Sequence, residues 1–543
     1  VEVCDGVDND CDGLTDEGVT NACGDCDPRC TETRFGIGDN AIPFNPNQTN
    51  SNNTDTDDDG QVQLTTDDIN ISFAWFVSSY GTTQDQVFKV DTLTGDQVGR
   101  YPTGDNPSRT TIDEKRNVFV ANRSSGNLTK IANWTPACDR SIEACECVDR
   151  NNNGRIDTAK DSNGNGKIDN NEYLGTSDEC YLWTTSNGSL GNYPRSLSID
   201  ANGFVWVGNW GSTPYMYKIN PDTGATLQSV RLHTQTYGSV IDANGMIWSV
   251  DRDTDLQSVN SANGVLGPLR PRPVNGQSYG IALDGEGRIW VGSAWSPYHS
   301  SFYEPATNRW VLGPSSGWRQ DSRGVTVDGD GVIWNTHWEG SVRNVTGVTV
   351  NDENNNGQFD TSDFRLHKDV YLANCYGVLG VGVGAGNNLW TACYYEASAA
   401  VFSSDPNVQT INYHPIGTNP YVYSDYTGNL RDQFTAPLGN YSEIFEGCPN
   451  SQVDQWHRVV WQGTQPENTR VQVYVAVADT EQGLQGAEES GPFQGQNIDI
   501  SGIENKPFIK VRFKLESFEN GAVPKISFLN VTRYCQVDLN NGN

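Results

Sequence analysis

Basic residues, histidine and methionine are scarce in this 543-residue sequence. Against 68 Asp and Glu it holds only 36 Lys and Arg, which gives a formal net charge of −32. Proteins bind nucleic acid mainly by neutralising phosphates with Lys and Arg, so this deficit argues against a nucleic-acid partner. Met occurs twice and Gly 56 times, and that profile favours short strands and turns over helices.

Long apolar runs and familiar catalytic motifs are also missing. No stretch approaches the roughly 18 apolar residues of a membrane-spanning helix, so we expect no membrane span. The chain begins at Val1 with no signal peptide, and we therefore expect a processed mature form. Because no H-E-x-x-H or P-loop motif occurs, we predict no catalytic residues and a protein that is not an enzyme.

Cysteine, in contrast, is well represented, with 13 residues in local clusters. Such clusters in a Gly-rich chain favour disulfides over metal thiolates, and hence an extracellular or cell-surface location. The predicted bridges are Cys375–Cys393, Cys448–Cys535 and two among Cys138, Cys145, Cys147 and Cys180. The odd total leaves one N-terminal cysteine, which is either free or bonded to another molecule.

A hairpin of constant pattern recurs along the middle of the chain. In SYGIALDGEGRIWVGSAW (278–295) a strand ends at Asp284, a Gly turn follows, and a second strand carries Trp290. The same aromatic position recurs at Phe119, Trp206, Trp248, Trp290, Trp334 and Trp390. A period of about 42 residues made of short strands is typical of β-propellers. Residues 73–101 lack a first strand and residues 417–430 lack a second, so joining them predicts a seventh blade that closes the ring.

The repeat resembles the NHL-type and streptogramin-lyase-like propellers, and this resemblance implies a fold rather than an activity. We predict an all-β protein with a seven-bladed β-propeller over residues 71–433, interrupted by calcium-loop insertions at 138–182 and 350–364. Residues 434–536 alternate apolar and polar positions, which predicts a jelly-roll-like β-sandwich pinned by Cys448–Cys535. The other predicted segments are a Cys-rich metal-binding segment at 1–44, a polar acidic linker at 45–70 and a tail at 537–543.

Two acidic groups precede the propeller. The first has the D-x-D-x-D-G spacing of a calcium loop, in which alternate carboxylates turn inward; its acids are Asp8, Asp10, Asp12 and Asp16. This stretch resembles the CDGxDNDCDGxxDE motif of secreted bacterial surface proteins, which implies an extracellular bacterial location and a bound cation. The second group is Asp55, Asp57 and Asp59. A solvated turn is the alternative there, because no acid closes the loop at its twelfth position.

Three further loops match the twelve-residue EF-hand pattern. The most complete has Asp161, Asn163, Asn165, Lys167 (through its carbonyl), Asp169 and Glu172 at the ligand positions. A preceding copy has Asp149, Asn151, Asn153, Arg155 and Asp157, with Lys160 where the closing acid is expected. A third copy has Asp352, Asn354, Asn356, Gln358, Asp360 and Asp363. These loops resemble dockerin and thrombospondin-type calcium loops, so calcium is the expected cofactor, with affinities of roughly 10⁻⁴–10⁻³ M.

Two other candidate sites lie on the propeller. His337 ends a Trp strand close to Glu339, and the lyase resemblance implies a His–Glu pair at the channel. The family's WFTE phrase is absent, however, and a structural histidine is the alternative. The first strands also carry a ring of residues five positions before the Asp: Arg195, Tyr237, Tyr279 and Arg323. These side chains either hold an anionic or sugar ligand or stack on one another and fill the funnel.

These features together favour a secreted, calcium-stabilised, non-catalytic structural protein of a bacterial surface or matrix. We expect it to self-assemble into a polymer or filament, or to act as an interaction scaffold. Other copies of itself are the expected partners, and carbohydrate is a further candidate. The alternatives are a propeller enzyme of streptogramin-lyase type and a carbohydrate-binding adhesin that uses the sandwich.

Overall fold

The chain divides into two compact units whose regular secondary structure is almost entirely β-strand. The larger unit is Thr66–Pro437 with Phe518–Asn520, and the smaller is Val1–Thr65, Leu438–Ser517 and Gly521–Asn543. The computed structural model describes all residues except 1, 6, 11, 13, 17, 48–49, 65–72, 80–84, 137, 139–145, 254, 275, 296–297, 316–318, 320, 339–341, 354–355, 436, 449–452, 468, 518–522 and 536–543. Within that described part, no helix is long and apolar enough to cross a membrane.

The larger unit is a seven-bladed β-propeller, as the hairpin repeat predicts. Six blades are antiparallel four-stranded sheets whose strands follow in chain order. Blade 1 is Pro107–Ile112, Val118–Asn122, Asn127–Ile131 and Tyr181–Thr184; blade 2 is Pro194–Ile199, Val205–Asn209, Tyr215–Ile219 and Thr226–Arg231. Blade 3 is Gly238–Ile241, Met246–Val250, Asp255–Asn260 and Arg270–Pro271; blade 4 is Gln277–Leu283, Ile289–Ala294, Ser301–Glu304 and Arg309–Val311. Blade 5 is Ser322–Val327, Ile333–His337, Asn344–Val350 and Phe364–Tyr371; blade 6 is Val378–Val383, Asn388–Cys393, Ser398–Ser403 and Ile411–Pro415.

Blade 7 joins the two ends of the propeller. Its regular strands are Phe73–Ser78, Gln86–Asp91 and Gln97–Pro102. The inner edge of the first of these pairs with the segment 419–426, where Tyr421 N donates to Val77 O at 3.1 Å and Trp75 N donates to Tyr426 O at 2.9 Å. These bonds satisfy the backbone of an otherwise open sheet edge and close the ring, as predicted.

The constant spacing of Asp and Trp has a structural cause. In blades 2 to 5 the Asp carboxylate accepts the indole N–H of the Trp six residues later, at 2.6 to 2.9 Å. The pairs are Asp200–Trp206, Asp242–Trp248, Asp284–Trp290 and Asp328–Trp334. The other carboxylate oxygen accepts backbone N–H groups of the same turn. Each Asp therefore holds the hairpin turn and orients a buried Trp at the same time.

Blade 6 departs from this pattern at Gly384. A Cβ atom there would lie 2.6 Å from Trp390 Nε1, so an Asp has no room. The buried indole N–H of Trp390 has no hydrogen-bond partner among the described residues. Its ring packs against His414 and Phe76 instead, with centroids 5.5 and 6.2 Å away.

The smaller unit is a sandwich of two antiparallel sheets. One sheet contains Cys30–Gly36, Thr54–Thr56, Val62–Leu64, Val453–Thr464, Asn497–Asp499 and Lys525–Cys535. The other contains Ser51–Asn52, Leu438–Glu446, Thr469–Ala478, Ser490–Phe493 and Phe508–Ser517. Both sheets contribute to one core, in which Trp456, Trp461 and Phe513 are buried. The jelly-roll connection order stays a prediction.

The N-terminal residues belong to this sandwich, which differs from the predicted separate segment and linker. Cys30–Gly36 pairs antiparallel with Lys525–Cys535 over its whole length, and Val62 is buried in the sandwich core. These strands are short and polar, so their sequence pattern alone does not distinguish them from a linker.

Among the described residues, helical structure is confined to short turns. The 3₁₀ turns are Gly175–Ser177, Thr361–Asp363, Ala385–Asn387 and Gln482–Gly486, and a π turn spans Arg431–Thr435.

Candidate functional site

Five disulfides support an oxidising environment for the chain. They are Cys4–Cys26, Cys23–Cys30, Cys147–Cys180, Cys375–Cys393 and Cys448–Cys535. The last two are confirmed as predicted, and Cys147–Cys180 is one of the two bridges predicted in the insertion. Cys138 is buried, while Cys145 and Cys11, the fifth N-terminal cysteine, lie outside the described residues.

Loop 161–172 wraps around its first residue in the manner of a calcium loop. The Asp161 carboxylate accepts the backbone N–H groups of Asn165 at 3.1 Å and Gly166 at 2.7 Å. Gly166 adopts φ +78°, the left-handed conformation that the sharp bend of such a loop requires of its sixth residue. The side-chain oxygen of Asn165 accepts Lys167 N at 2.9 Å.

The Glu172 carboxylate closes this loop. One of its oxygens accepts the backbone N–H of Ser162, the second loop position, at 2.8 Å, and the other accepts that of Asp169, the ninth position, at 2.9 Å. Hydrogen bonds from the Ser162 hydroxyl and then from the Asp169 amide lower the pKa of Glu172. The side chain is therefore held as a carboxylate facing the loop centre.

Loop 149–160 is closed in the same way by a residue that the sequence analysis missed. Glu179 accepts the backbone N–H of Arg150, the second position, at 2.8 Å and that of Asp157, the ninth position, at 2.8 Å. Lys160, at the twelfth position, stacks on Trp134 instead. Glu179 directly precedes Cys180. The disulfide from Cys180 to Cys147 fixes this part of the chain beside the start of the loop.

The N-terminal acidic loop also takes its closing carboxylate from outside the loop. Glu2 accepts Asn9 N, the second position, at 2.9 Å and Asp16 N, the ninth position, at 3.1 Å. One carboxylate oxygen each of Glu2, Asp8 and Asp10 lie within 4.8 Å of one another. This group consists of the oxygen donors that calcium prefers.

Loop 352–363 repeats the arrangement with Asp363. Its two oxygens accept Glu353 N at 3.2 Å and Asp360 N at 2.8 Å. The first position, Asp352, accepts the backbone N–H of Asn356 at 3.1 Å. Asn354, the ligand predicted at the third loop position, lies outside the described residues.

The group Asp55, Asp57 and Asp59 does not form such a loop. It belongs to the hairpin between Thr54–Thr56 and Val62–Leu64. The Asp57 carboxylate accepts a hydrogen bond from Lys525 Nζ at 2.7 Å. Partial burial acts to raise the pKa of Asp57, but the hydrogen bond from Lys525, the backbone hydrogen bond from Gln61 and the charge of Lys525 lower it overall. The Asp57 carboxylate is thus paired within the protein, which differs from the solvated turn of the alternative interpretation, and a cation at this group stays a prediction.

Both propeller insertions reach the outer strand of the preceding blade. Loop 161–172 extends from blade 1 to blade 7, where Gln97 N donates to Gly166 O at 3.0 Å and Arg100 donates to Ile168 O at 3.0 Å. Loop 352–363 extends from blade 5 to blade 4, where Arg309 donates to the Gln358 side chain at 3.0 Å. The loops therefore bridge neighbouring blades at the rim of the propeller.

The four predicted ligand residues lie together at one end of the channel, where the first strands begin. We refer to this end as the channel mouth. Arg195 donates to Tyr237 Oη at 3.0 Å, and Tyr237 Oη donates to Tyr279 Oη at 3.0 Å. The Arg323 guanidinium lies 5.4 Å from the Tyr279 ring. These groups therefore stack on one another, and the side chains of Arg195 and Arg323 are buried among them.

Besides the predicted ring on the first strands, the mouth has a second layer of residues that was not predicted from the sequence. The residue directly after the second strand is an arginine or aromatic in five blades: Arg123, Trp210, Trp295, Trp338 and Tyr394. Arg252 lies over Trp210 and Trp295, and Arg323 lies over Trp295 and Trp338, at 4.6 to 5.6 Å. Their shared position directly after the second strand of these five blades is visible in the sequence repeat and could have identified them.

His337 is buried inside the propeller wall. Its Nε2 lies 2.7 Å from Thr346 Oγ1, and His299 Nε2 lies 3.0 Å from the same hydroxyl. Burial lowers the pKa of His299 well below its ordinary value. Glu339, the other member of the predicted pair, lies outside the described residues. This placement matches a structural histidine.

Neither a known protein family nor a curated protein matches this sequence. Among solved structures, virginiamycin B lyase from Staphylococcus aureus is 14% identical, with a TM-score of 0.40, covering 57% of this chain and 84% of that one. The periplasmic gluconolactonase of Pseudomonas aeruginosa is 14% identical, with a TM-score of 0.45, covering 64% and 97%. A protein from Lactobacillus plantarum is 11% identical, with a TM-score of 0.45, covering 65% and 98%.

Proposed function

We propose that this protein is a secreted, calcium-stabilised, non-catalytic component of a bacterial surface or matrix. The observation that carries the proposal is the common geometry of four acidic loops. In each, the two oxygens of one carboxylate accept the N–H groups of the second and ninth loop positions. The closing residues are Glu2, Glu179, Glu172 and Asp363.

The donor set fits calcium better than a transition metal. It consists of carboxylate, amide and backbone oxygens, which hard cations of this size prefer. Four of the five N-terminal cysteines form disulfides. Asn163 and Asn165 donate to Asp169 Oδ2 at 3.0 and 2.9 Å. A half-turn of either amide presents its oxygen to the loop centre instead. Calcium would supply the positive charge that these converging carboxylates otherwise lack.

Calcium in the insertion loops would stabilise the propeller by bracing its rim. The loops bridge blade 1 to blade 7 and blade 5 to blade 4 through Arg100 and Arg309. Blade 7 is where the ring closes, so an ordered loop there opposes opening of the ring. Binding to the folded state alone raises stability by mass action.

We propose that the protein uses this scaffold to associate with other copies of itself. A rigid propeller and a sandwich offer broad surfaces for a second copy, and bound calcium would offset part of the charge of −32 that opposes assembly. His337 does not support the enzyme alternative, because its imidazole is buried and hydrogen-bonded to Thr346.

The test compares calcium, magnesium and chelator on the purified chain. Calorimetric titration and thermal unfolding measure binding and stabilisation, while light scattering and electron microscopy follow assembly. We expect calcium to raise the melting temperature and to promote assemblies that chelator dissolves. Equal melting temperatures in calcium and chelator would contradict the calcium proposal, and monomers in both would contradict self-association.

A further inference from the structure

Three buried arginines, Arg109, Arg123 and Arg195, converge at the channel mouth. Their side chains belong to residues that are 1%, 8% and 8% exposed. The guanidinium carbons lie 5.9, 4.6 and 5.9 Å from the ring centre of Tyr421. We refer to these three residues as the arginine cluster. Guanidinium groups stay charged at all physiological pH values, so three positive charges share one small volume.

No carboxylate hydrogen-bonds to the arginine cluster within the part of the chain that the structure describes, although Asp85 interacts electrostatically with Arg123. The hydrogen-bond acceptors are backbone carbonyls for Arg109, Asn106 for Arg123 and the Tyr237 and Tyr421 side-chain oxygens for Arg195. Arg195 Nε is buried without any acceptor among those residues. Buried charge is costly unless an opposite charge lies close to it. This imbalance is unusual in a chain whose net charge is −32.

The positive charge of the arginine cluster changes the pKa of the Tyr421 hydroxyl. Burial acts to raise its pKa, but the charges of Arg195, Arg109 and Arg123 outweigh burial and lower the pKa to about 6. The phenolate then supplies one negative charge to three cations above that pH. The other titratable groups in the surroundings are Tyr237, Tyr279, Tyr423, Arg323 and, beside Arg123, Asp85.

A polar cavity has Trp210, one of the residues at the channel mouth, in its wall. Its volume is about 430 Å³, and its lining includes Trp210, Asp251, Arg252 and Gln277. That size is within the range of small-molecule sites. Arg195 and Arg252 lie over the Trp210 ring at 5.4 and 5.5 Å. Arg252 therefore lines the cavity, Arg195 contacts its wall through the Trp210 ring, and the carboxyls of Asp251 and Asp253 also belong to its lining.

We propose that the channel mouth binds a small polyhydroxylated carboxylate, with its carboxylate on Arg123, Arg195 and Arg252 and its hydroxyls in the adjoining cavity. Asp251 and Gln277 offer oxygen acceptors for those hydroxyls, and the Asp251 carboxyl disfavours the opposite orientation. The ligand carboxylate replaces the Tyr421 phenolate as the counter-charge of the arginines. Binding therefore protonates Tyr421, and the two events are thermodynamically linked.

The ultraviolet absorbance of the phenolate tests this directly on the full-length protein near pH 8. Glucuronate, acetate and glucose are the probes, because they separate the carboxylate from the hydroxyl groups. We expect glucuronate to reduce the phenolate signal in a saturable way, acetate to do so at least about tenfold more weakly, and glucose not to bind. An equal effect of glucose would overturn the role of the arginines, and an equal effect of acetate would overturn the role of the cavity. No saturable effect of glucuronate, or no phenolate signal in its absence, would overturn the proposal as a whole.

Two variants distinguish the site from a general ionic effect. Tyr421→Phe removes the phenolate signal and retains glucuronate binding by calorimetry. Arg123→Gln weakens glucuronate binding at least about tenfold and raises the Tyr421 pKa. Arg458→Gln, in the other unit, removes one cation elsewhere and leaves both properties unchanged. Retained affinity in a folded Arg123→Gln protein, judged by its circular dichroism, would contradict the proposal. Calcium binding is measured separately, so either proposal can fail alone.

Discussion

The Glu179 carboxylate accepts the backbone N–H of Asp157 at 2.8 Å across 22 residues of chain. Glu179→Gln leaves one carbonyl oxygen to accept this bond and the bond from Arg150, and it removes the charge that calcium requires. We expect the calcium stoichiometry to fall by one and the stabilisation by calcium to decrease. Calorimetric titration measures the first and thermal unfolding the second.

Glu488→Gln is the matched control for that change, because Glu488 is an exposed glutamate of the sandwich. It should leave the stoichiometry unchanged. If Glu179→Gln and Glu488→Gln bind calcium equally, Glu179 does not close a metal loop.

Two buried tryptophans differ in their hydrogen bonding and should differ in the cost of substitution. Trp334 donates to Asp328 at 2.7 Å, whereas the Trp390 indole has no partner among the described residues. Both Phe variants lose similar volume, but Trp334→Phe also leaves a buried carboxylate oxygen unsatisfied. We expect Trp334→Phe to cost about 1–3 kcal/mol more than Trp390→Phe in chemical denaturation. Equal costs would show that the indole bond contributes nothing.

The Asp328 carboxyl should make stability depend on pH. Burial raises its pKa to about 6, above the unfolded value of 3.8. Between these values the folded state holds a proton that the unfolded state has lost, so the stability from this group falls as pH rises. Asp328→Asn removes this dependence, and its cost relative to wild type should be greater near pH 4 than near pH 8, by up to about 3 kcal/mol. Urea denaturation at both pH values, in chelator, measures the difference; a larger cost near pH 8 would contradict the raised pKa.

The two confirmed C-terminal disulfides should stabilise to different extents. Cys448–Cys535 closes a separation of 87 residues and Cys375–Cys393 one of 18. Loop-closure entropy assigns them about 4.6 and about 3.2 kcal/mol. The double Ser variant of the first pair should therefore lose about 1.4 kcal/mol more than that of the second, by chemical denaturation. A reversed order would show that strain or residual structure outweighs loop length.

Much of the fold was predictable because its pattern is local. The Asp284–Trp290 spacing sets both the hairpin turn and the orientation of a core side chain, so it recurs and can be counted. Closure of blade 7 was predictable because residues 73–101 lack a first strand and residues 417–430 lack a second. The N-terminal strands were not predictable in the same way, since Thr54–Thr56 is short and polar, and its hairpin with Val62–Leu64 joins the sheet only by pairing with Lys525–Cys535.

The metal loops were predictable except for their closing residues. Alternating acids such as Asp149 identify a loop from sequence because the ligand spacing is local. Glu179 and Glu2 lie outside the loops they close, and only the tertiary path brings them there. For Glu179 that path is fixed by the Cys147–Cys180 disulfide, which the sequence left as one of several possible pairings.

The number of calcium ions bound per chain tests the central claim most directly. Calorimetric titration of the chelator-treated protein, together with elemental analysis of the calcium-saturated protein, gives this number. Four ions per chain are expected, one for each loop closed by Glu2, Glu179, Glu172 or Asp363, together with a rise in melting temperature. A protein that binds no calcium at millimolar concentrations, or whose melting temperature calcium does not change, would contradict the account.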